Sequence, residues 1–397
     1  MPADADTSKI AALRTGINQS GLRDFNERLM LSMIQRYGAM PRSELARISG
    51  LSLQTASVIT RKLEQDGLLA PGAPTKGKVG KPSIPMALAP DGVFSLGLKI
   101  GRRSAELMLI DFVGAVRKQH RLNFPYPNPK DIFDFFAAGL SDILKRMPSR
   151  DRERIAGLGV AAPHEIWNWQ ELVGATSEDF QHWRRIDFRD EIARFTALPV
   201  TIVNDATAAC RAEHHFGRGK EFRDYAYFFV GAFVGGGVVI NQSVHEGAKG
   251  NAGAFGALRM VGADGKEHSL IDEASIFRLE TALIDAGLPR EGLWQEPQDW
   301  SGMDHLLDPW IERVGKALAR AALSVCAVID FDAILIDGAF PADVRNRIVG
   351  TARDELATLD QRGLIAPRIE EGTIGLHARS IGAACGPIFD SYFMTAT

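Results

Sequence analysis

An α/β protein with a small helical module at its amino end is the fold class this sequence predicts, and three observations carry the reading. Between residues 22 and 66 apolar side chains recur at three- and four-residue spacing, interrupted by short glycine turns, as packed helices require. Past Pro90 the pattern changes to short apolar strands separated by helical stretches, which indicates sheets flanked by helices. Charge divides at the same place. Residues 1–90 hold twelve Lys and Arg against seven Asp and Glu, a net of +5, whereas the rest of the chain holds 34 against 42, a net of −8. A basic end on an acidic body points to a polyanionic partner at that end only.

The 397 residues exceed what one ordinary core organises and fit two or three domains. Hydrophobic residues make up 45% and charged residues 24%, as in globular domains, and no apolar run approaches the length that spans a bilayer. The polar, acidic opening MPADADTSKI lacks the basic start and apolar core of a secretory signal, so the expectation is a cytoplasmic protein with a disordered leader over 1–15 and no membrane partner. Cys210, Cys326 and Cys385 lie far apart in apolar company, a spacing that suits buried thiols rather than a disulfide framework or a zinc site.

Leu22, Phe25, Leu29, Met33, Ile34 and Tyr37 mark an amphipathic helix over about 22–37, which Gly38 stops. A second helix is predicted from Arg42 to Ser49, burying Leu45, Ala46 and Ile48, and Gly50-Leu51-Ser52 supplies a tight turn. Ser52 caps a third helix that runs to about Asp66 and keeps Ala56, Ile59 and Leu63 inward. Its other residues, Gln54, Thr55, Ser57, Arg61 and Lys62, with Ser52 at the start, are hydrogen-bonding groups and cations suited to base edges and phosphates. Gly67-Leu68-Leu69 ends the helix, and PGAPTKGKVGKPSIPMAL reads as a β-hairpin wing whose Lys76, Lys78 and Lys81 can enter a minor groove. Three short helices with a polar face also describe domains that bind no nucleic acid, and Gln54 or Ser57 taken singly reads equally as solvated surface. The basic wing directly after a polar third helix tips the reading of residues 16–90 to a DNA-binding winged helix-turn-helix.

The body offers the strands VFSLGLKI, AELMLIDF, IAGLGVAA, VTIVND, YAYFFVGAFVGGGVVI and AILID. Asp111-Phe112-Val113-Gly114 reads as a hairpin turn between antiparallel strands, the way an actin-like lobe begins. Glycines cluster at Gly231, Gly235, Gly236 and Gly237 and at Gly247, Gly250, Gly253 and Gly256, which allows backbone to approach a phosphate or sugar but also occurs for purely steric reasons. Asn204-Asp205 ends an apolar strand, where a carboxylate either faces a ligand cleft or caps the following helix.

Together these features resemble the ROK family, which joins repressors of sugar operons to bacterial sugar kinases. GINQSGLRDFNERLML, SELARISGLSLQTASVITRKLEQDGLL and GKVGKP resemble the winged module of its xylose-repressor and N-acetylglucosamine-repressor type, an extension the kinases lack. LGLKIG, GLGVAAP, PVTIVNDATAA, VGAFVGGGVVINQSVHEGAKGNAGAFG and AILIDGAF follow in the family's order. The resemblance implies a two-lobed actin-like (ribonuclease H-like) sugar-kinase fold, with residues 91–205 and 376–397 in the first lobe and 206–375 in the second.

Departures from the family pattern bear on activity. The Asp-x-Gly-x-Thr phosphate loop of the kinases appears as Lys99, Gly101 and Arg103, and the second loop, Gly-Thr-Gly, as Gly231-Ala232-Phe233. Ala254 and Ala257 replace a sugar-contacting Glu and a zinc-binding His, and GADGKEHSLIDEAS lacks the zinc loop. Another sugar-contacting Glu appears as Ile271, or as Asp272 if the alignment shifts by one. Asn204 and Asp205 survive, but a base without a donor site cannot transfer phosphate. The implied protein is a non-enzymatic regulator with no cofactor or metal, a homodimer or homotetramer on a pseudo-palindromic operator, with a sugar, polyol or sugar-phosphate effector near Asn204, Asp205 and Gly253. The rival readings are a sugar kinase with a DNA-binding extension, a regulator of a less hydroxylated ligand, and a DNA-binding protein with no ligand.

Overall fold

The structure, a computed structural model, describes residues 19–72, 84–164, 182–262 and 265–394. The chain forms two compact units, one from Met1–Leu88 together with Tyr392–Met394 and the other from Ala89–Ser391.

In the first unit α1 (Gln19–Tyr37), α2 (Arg42–Ser49) and α3 (Leu53–Gln65) precede an antiparallel ribbon of β1 (Leu69–Pro71) and β2 (Met86–Leu88). Met40 extends the ribbon through reciprocal backbone hydrogen bonds with Met86 of 3.1 and 2.8 Å. Gly38 and Gly50 follow α1 and α2 at φ +83° and +71°, a left-handed turn that a side chain would strain. Ser52 caps α3, its Oγ accepting from the Thr55 N–H at 3.1 Å. Leu45, Ala46, Ala56, Ile59 and Leu63 are buried as their spacing predicts.

Two helices turn differently from the expectation. In α1 the buried residues are Met30, Leu31 and Ile34, while Phe25 and Tyr37 face outward, and Ile48 of α2 is exposed. Apolar residues of α1 occupy two adjoining stripes, and packing against α3 and β2 selects one of them. Tyr392–Met394, expected with the first lobe, group with this unit instead: Phe393 is buried and the Met394 N–H donates to Ser32 Oγ at 2.8 Å. The leader and the wing residues Lys76, Lys78 and Lys81 lie outside the described residues.

The second unit repeats one plan twice. In the first sheet β3 (Phe94–Ile100), β4 (Ser104–Asp111) and β5 (Val116–Asn123) form an antiparallel meander. After α4 (Pro129–Arg146), β6 (Ile155–Ala162) and β7 (Val200–Asn204) add parallel on the far side of β3, giving the order β5-β4-β3-β6-β7. The Asp111–Gly114 turn forms as predicted, with Asp111 Oδ1 accepting from the N–H groups of Val113 and Ala115 at 3.0 and 2.9 Å. The helix α5 (Asp205–Phe216) then leads to β8 (Tyr225–Val230), β9 (Val234–Ile240) and β10 (Ser243–His245), another meander. A small ribbon, β11 (Arg259–Val261) with β12 (Glu267–Ser269), and the helices α6 (Leu270–Ala274), α7 (Ile276–Asp285) and α8 (Asp304–Cys326) intervene. Parallel additions follow: β13 (Ala333–Gly338), α9 (Ala342–Thr358) and β14 (Arg368–Glu371), in the order β10-β9-β8-β13-β14. Two lobes of this topology make the two-lobed actin-like fold. Every residue of β3, β4, β8 and β13 is buried, as sheets covered on both faces require.

Small residues let the last helix, α10 (Ala378–Tyr392), press against its neighbours backbone to backbone. A Cβ on Gly159 of β6 would collide with the Ala383 carbonyl, and one on Gly382 would collide with the Ala208 carbonyl of α5. On the opposite side of α5, Gly235 and Gly237 of β9 leave room for Ala206 and Cys210. The three cysteines are free and buried. Helix α5 is thereby held between β9 and α10, which fixes the position of Asp205 at its first turn.

Candidate functional site

Helix α3 presents Ser52, Gln54 and Thr55 to solvent, with Ser57 half-buried beside them. Ser52 and Thr55 also bond to each other, Oγ to Oγ1 at 2.8 Å, so their hydroxyls are partly committed to the cap. Arg61 is exposed. Lys62 is placed otherwise: its Nζ meets Glu27 Oε2 of α1 at 2.7 Å and Asp66 Oδ2 at 3.2 Å, and the Glu27 hydrogen bond holds its ammonium above the ordinary lysine range. Lys62 thus ties α3 to α1, and Arg61 is the exposed cation of α3 among the described residues. Arg42, read in the sequence only as the start of α2, ties α2 to α3 by donating to Thr60 Oγ1 at 3.1 Å and Glu64 Oε2 at 3.0 Å. Leu53 and Val58 stand on the outward face at 57% and 55% exposure, where apolar surface suits a thymine methyl. A rule that assigns apolar residues inward could not find them.

The second candidate site is a cleft of about 300 Å³ in the α/β unit, and it contains Asn204, Asp205 and Gly253 together. Asn204 stands at the N-cap position of α5 but makes no side-chain cap; its Oδ1 accepts from the His164 N–H at 3.3 Å, joining the ends of β6 and β7. Asp205 Oδ2 receives Arg379 Nη1 of α10 at 3.2 Å. Gly253, at φ +77°, lies so close to Gly236 and Gly237 that a Cβ would meet backbone atoms at 2.6–2.9 Å, which makes its role a steric one at the cleft wall. Ala254, Ala257 and Ile271 line the same cleft, so the three positions that the resemblance sets against polar residues converge in space; Asp272, the alternative to Ile271, accepts from Ser269 Oγ at 2.7 Å.

The loops aligned with the kinase phosphate loops are occupied by the protein's own groups. Lys99 is buried and points to Ser104 Oγ at 2.6 Å and Glu106 Oε1 at 3.6 Å. Glu106, also buried, accepts from Arg121 Nη1 at 2.8 Å and Ser380 Oγ at 2.7 Å, and these cations and donors hold it ionised against the cost of burial. Arg103 donates to Glu280 Oε2 of the other lobe at 2.9 Å. In the second loop Phe233 lies under the Arg102 guanidinium, 3.9 Å from the ring centroid, with Phe277 edge-on at 5.0 Å. Arg102 and Arg379 were not legible as site residues: Arg102 fills an unspecified position of the 99–103 loop, Arg379 belongs to no motif, and both reach the cleft through the packing of the lobes. Among the described residues no group of three or more His, Cys, Asp or Glu is placed to hold a metal ion.

The second unit is a duplicated actin-like body of the sugar-kinase-like fold, with a cleft at the ends of β6 and β7, and the first unit has the winged helix-turn-helix fold. Residues 95–273 match the model of the ROK family, and residues 24–70 match that of a winged helix-turn-helix of the DNA-binding kind. The uncharacterized protein y4fQ of Sinorhizobium fredii is 26% identical over 388 residues, spanning 94% of this chain and 92% of its own length. The xylose repressor of Bacillus spizizenii is 24% identical over 241 residues, 61% of this chain and 62% of the repressor. A crystallised ROK family transcriptional regulator, a homologue of the Escherichia coli MLC protein, superposes with a TM-score of 0.64 at 18% identity, covering 94% of this chain and 98% of the other, a likeness of fold. Glucokinases also match the body.

Proposed function

We propose that the protein is a sequence-specific, DNA-binding transcriptional regulator of repressor type for carbohydrate uptake or catabolism genes. A small effector held in the cleft at Asn204 and Asp205 controls it, and the body transfers no phosphate. One observation carries the reading: the positions that would cradle nucleotide phosphate hold Lys99 and Arg103, each committed to an internal carboxylate, in a chain that presents a polar third helix for base edges. Phosphoryl transfer depends on positioning and on neutralising the phosphates, and a loop closed by its own ion pairs offers neither. Asp205, paired with Arg379, serves in binding. The kinase reading has the retained Asp205 in its favour and is tested directly: a coupled ATP-consumption assay over a hexose panel is expected to show no turnover, and turnover abolished by Asp205→Asn would overturn the proposal.

Paired winged modules in a homodimer or homotetramer would read two half-sites about one helical turn apart, 10–10.5 base pairs. The effector acts by binding the DNA-competent and DNA-incompetent arrangements unequally. Selection of bound genomic fragments by the purified protein, at about 0.15 M salt to suppress non-specific attachment, tests this. Enrichment of a pseudo-palindrome beside transport or catabolic genes is expected. An unenriched pool, with or without cell metabolites, would overturn it.

A further inference from the structure

Helix α3 carries two apolar side chains that its own packing leaves outside. Leu53 and Val58 are 57% and 55% exposed, whereas Ala56, Ile59, Thr60 and Leu63 form the buried face. At 3.6 residues per turn their five-residue separation is about 140° around the helix, and Ser57, Arg61 and Gln54 fall inside that arc. A polar strip therefore divides the two, and they do not make the contiguous apolar patch that a protein partner would bury.

Charge on this face favours a polyanion. Arg61 is exposed within the strip, and Glu64, the acidic residue that shares the arc, is held by Arg42 at 3.0 Å. Hydrocarbon alternating with an amide, a hydroxyl and a guanidinium is the complement of a major groove, where the thymine methyl lies among hydrogen-bonding base edges. Gln54 and Val58 are one turn apart and so are neighbours on the helix surface. An A·T pair or step offers something to each, adenine N6 and N7 to the amide and the thymine methyl to the isopropyl group.

We propose that Val58 and Leu53 are specificity-determining residues that select thymine in the operator through its 5-methyl group, with Gln54 on an adenine beside Val58. Five residues advance about 7.5 Å along the helix, so the two thymines stand about two base-pair steps apart in each half-site. This deepens the reading of the chain as a sequence-specific DNA-binding regulator and rests on it.

The test begins with selection of a binding site by the full chain from a random-sequence DNA duplex library at about 0.15 M salt. Each thymine of the selected duplex is then replaced singly by uracil, which pairs alike and lacks only the methyl, and affinity is read by fluorescence anisotropy. Uracil is expected to weaken binding about fourfold at two positions per half-site, the worth of one buried methyl, and to change nothing elsewhere. Val58→Ala is expected to bind the thymine duplex about fourfold more weakly and to be indifferent to uracil at one of those positions while still sensing it at the other. Leu53→Ala is expected to do the reverse. Both side chains are exposed, so the two variants should keep the parent's midpoint in urea denaturation. A selected site without thymine, uracil tolerated at every position, or a uracil penalty that persists unchanged in both variants would each overturn the inference while leaving the regulator reading intact. Failure of that reading shows separately, as a library from which no site is enriched, and would overturn both.

Discussion

Arg61 and Lys62 are adjacent cations on α3, and the structure gives them opposite tasks. Arg61 is exposed, whereas Lys62 is bonded to Glu27 and Asp66. Arg61→Ala is therefore expected to weaken binding to every DNA sequence and to lower the salt slope by about one, read from fluorescence anisotropy across a salt series. Lys62→Ala is expected to leave that slope unchanged and to lower stability by up to about 1 kcal/mol, because it loses a helix-to-helix ion pair rather than a phosphate contact. Equal salt slopes for the two variants would remove the distinction. The same care applies to Gly382: it exists to let α10 touch α5, and Gly382→Ala should cost about 3 kcal/mol in urea denaturation by driving a methyl into the Ala208 carbonyl.

At the scale of elements, α10 matters more than its place near the chain end suggests. Its first turn sets Arg379 against Asp205 and Ser380 against Glu106, and the short turn before it holds His377 between Glu106 at 3.4 Å and Glu296 at 2.8 Å. Burial by itself would lower the His377 imidazole, but these two carboxylates hold it above its ordinary 6.5. A raised value means that the protonated form is favoured by folding. The contribution is therefore complete below pH 6.5 and is lost as pH rises through the raised value. Melting temperature of the α/β unit is expected to fall across that interval in the parent, and His377→Gln should remove this component of the slope; an unchanged slope would show that His377 does not carry it.

For the whole molecule, each unit has its own buried core, one around Met30, Leu45 and Leu63 and the other around the two sheets. Scanning calorimetry is expected to resolve two transitions, with a bound effector raising only that of the α/β unit by mass action. A single transition, raised as one, would mean that the units unfold cooperatively. No helix among the described residues is long and apolar enough to cross a membrane.

Local pattern determined a good deal of this. Helix spacing, glycine stops and the Ser52 cap depend on near neighbours, so α2, α3 and the Asp111–Gly114 turn were legible, as were the long apolar strands of both lobes, whereas the short polar β10, β11, β12 and β14 were not. The inward stripe of α1, the commitment of Lys62 and the outward Leu53 and Val58 were not, because each depends on which surface packs opposite. The cleft shows the division most plainly. Asn204 and Asp205 announce themselves at a strand end, but Arg102 and Arg379 are 277 positions apart and meet there only because two sheets and α10 close around one space. Charge balance in a cavity is a property of everything that lines it, and no stretch of sequence contains that sum.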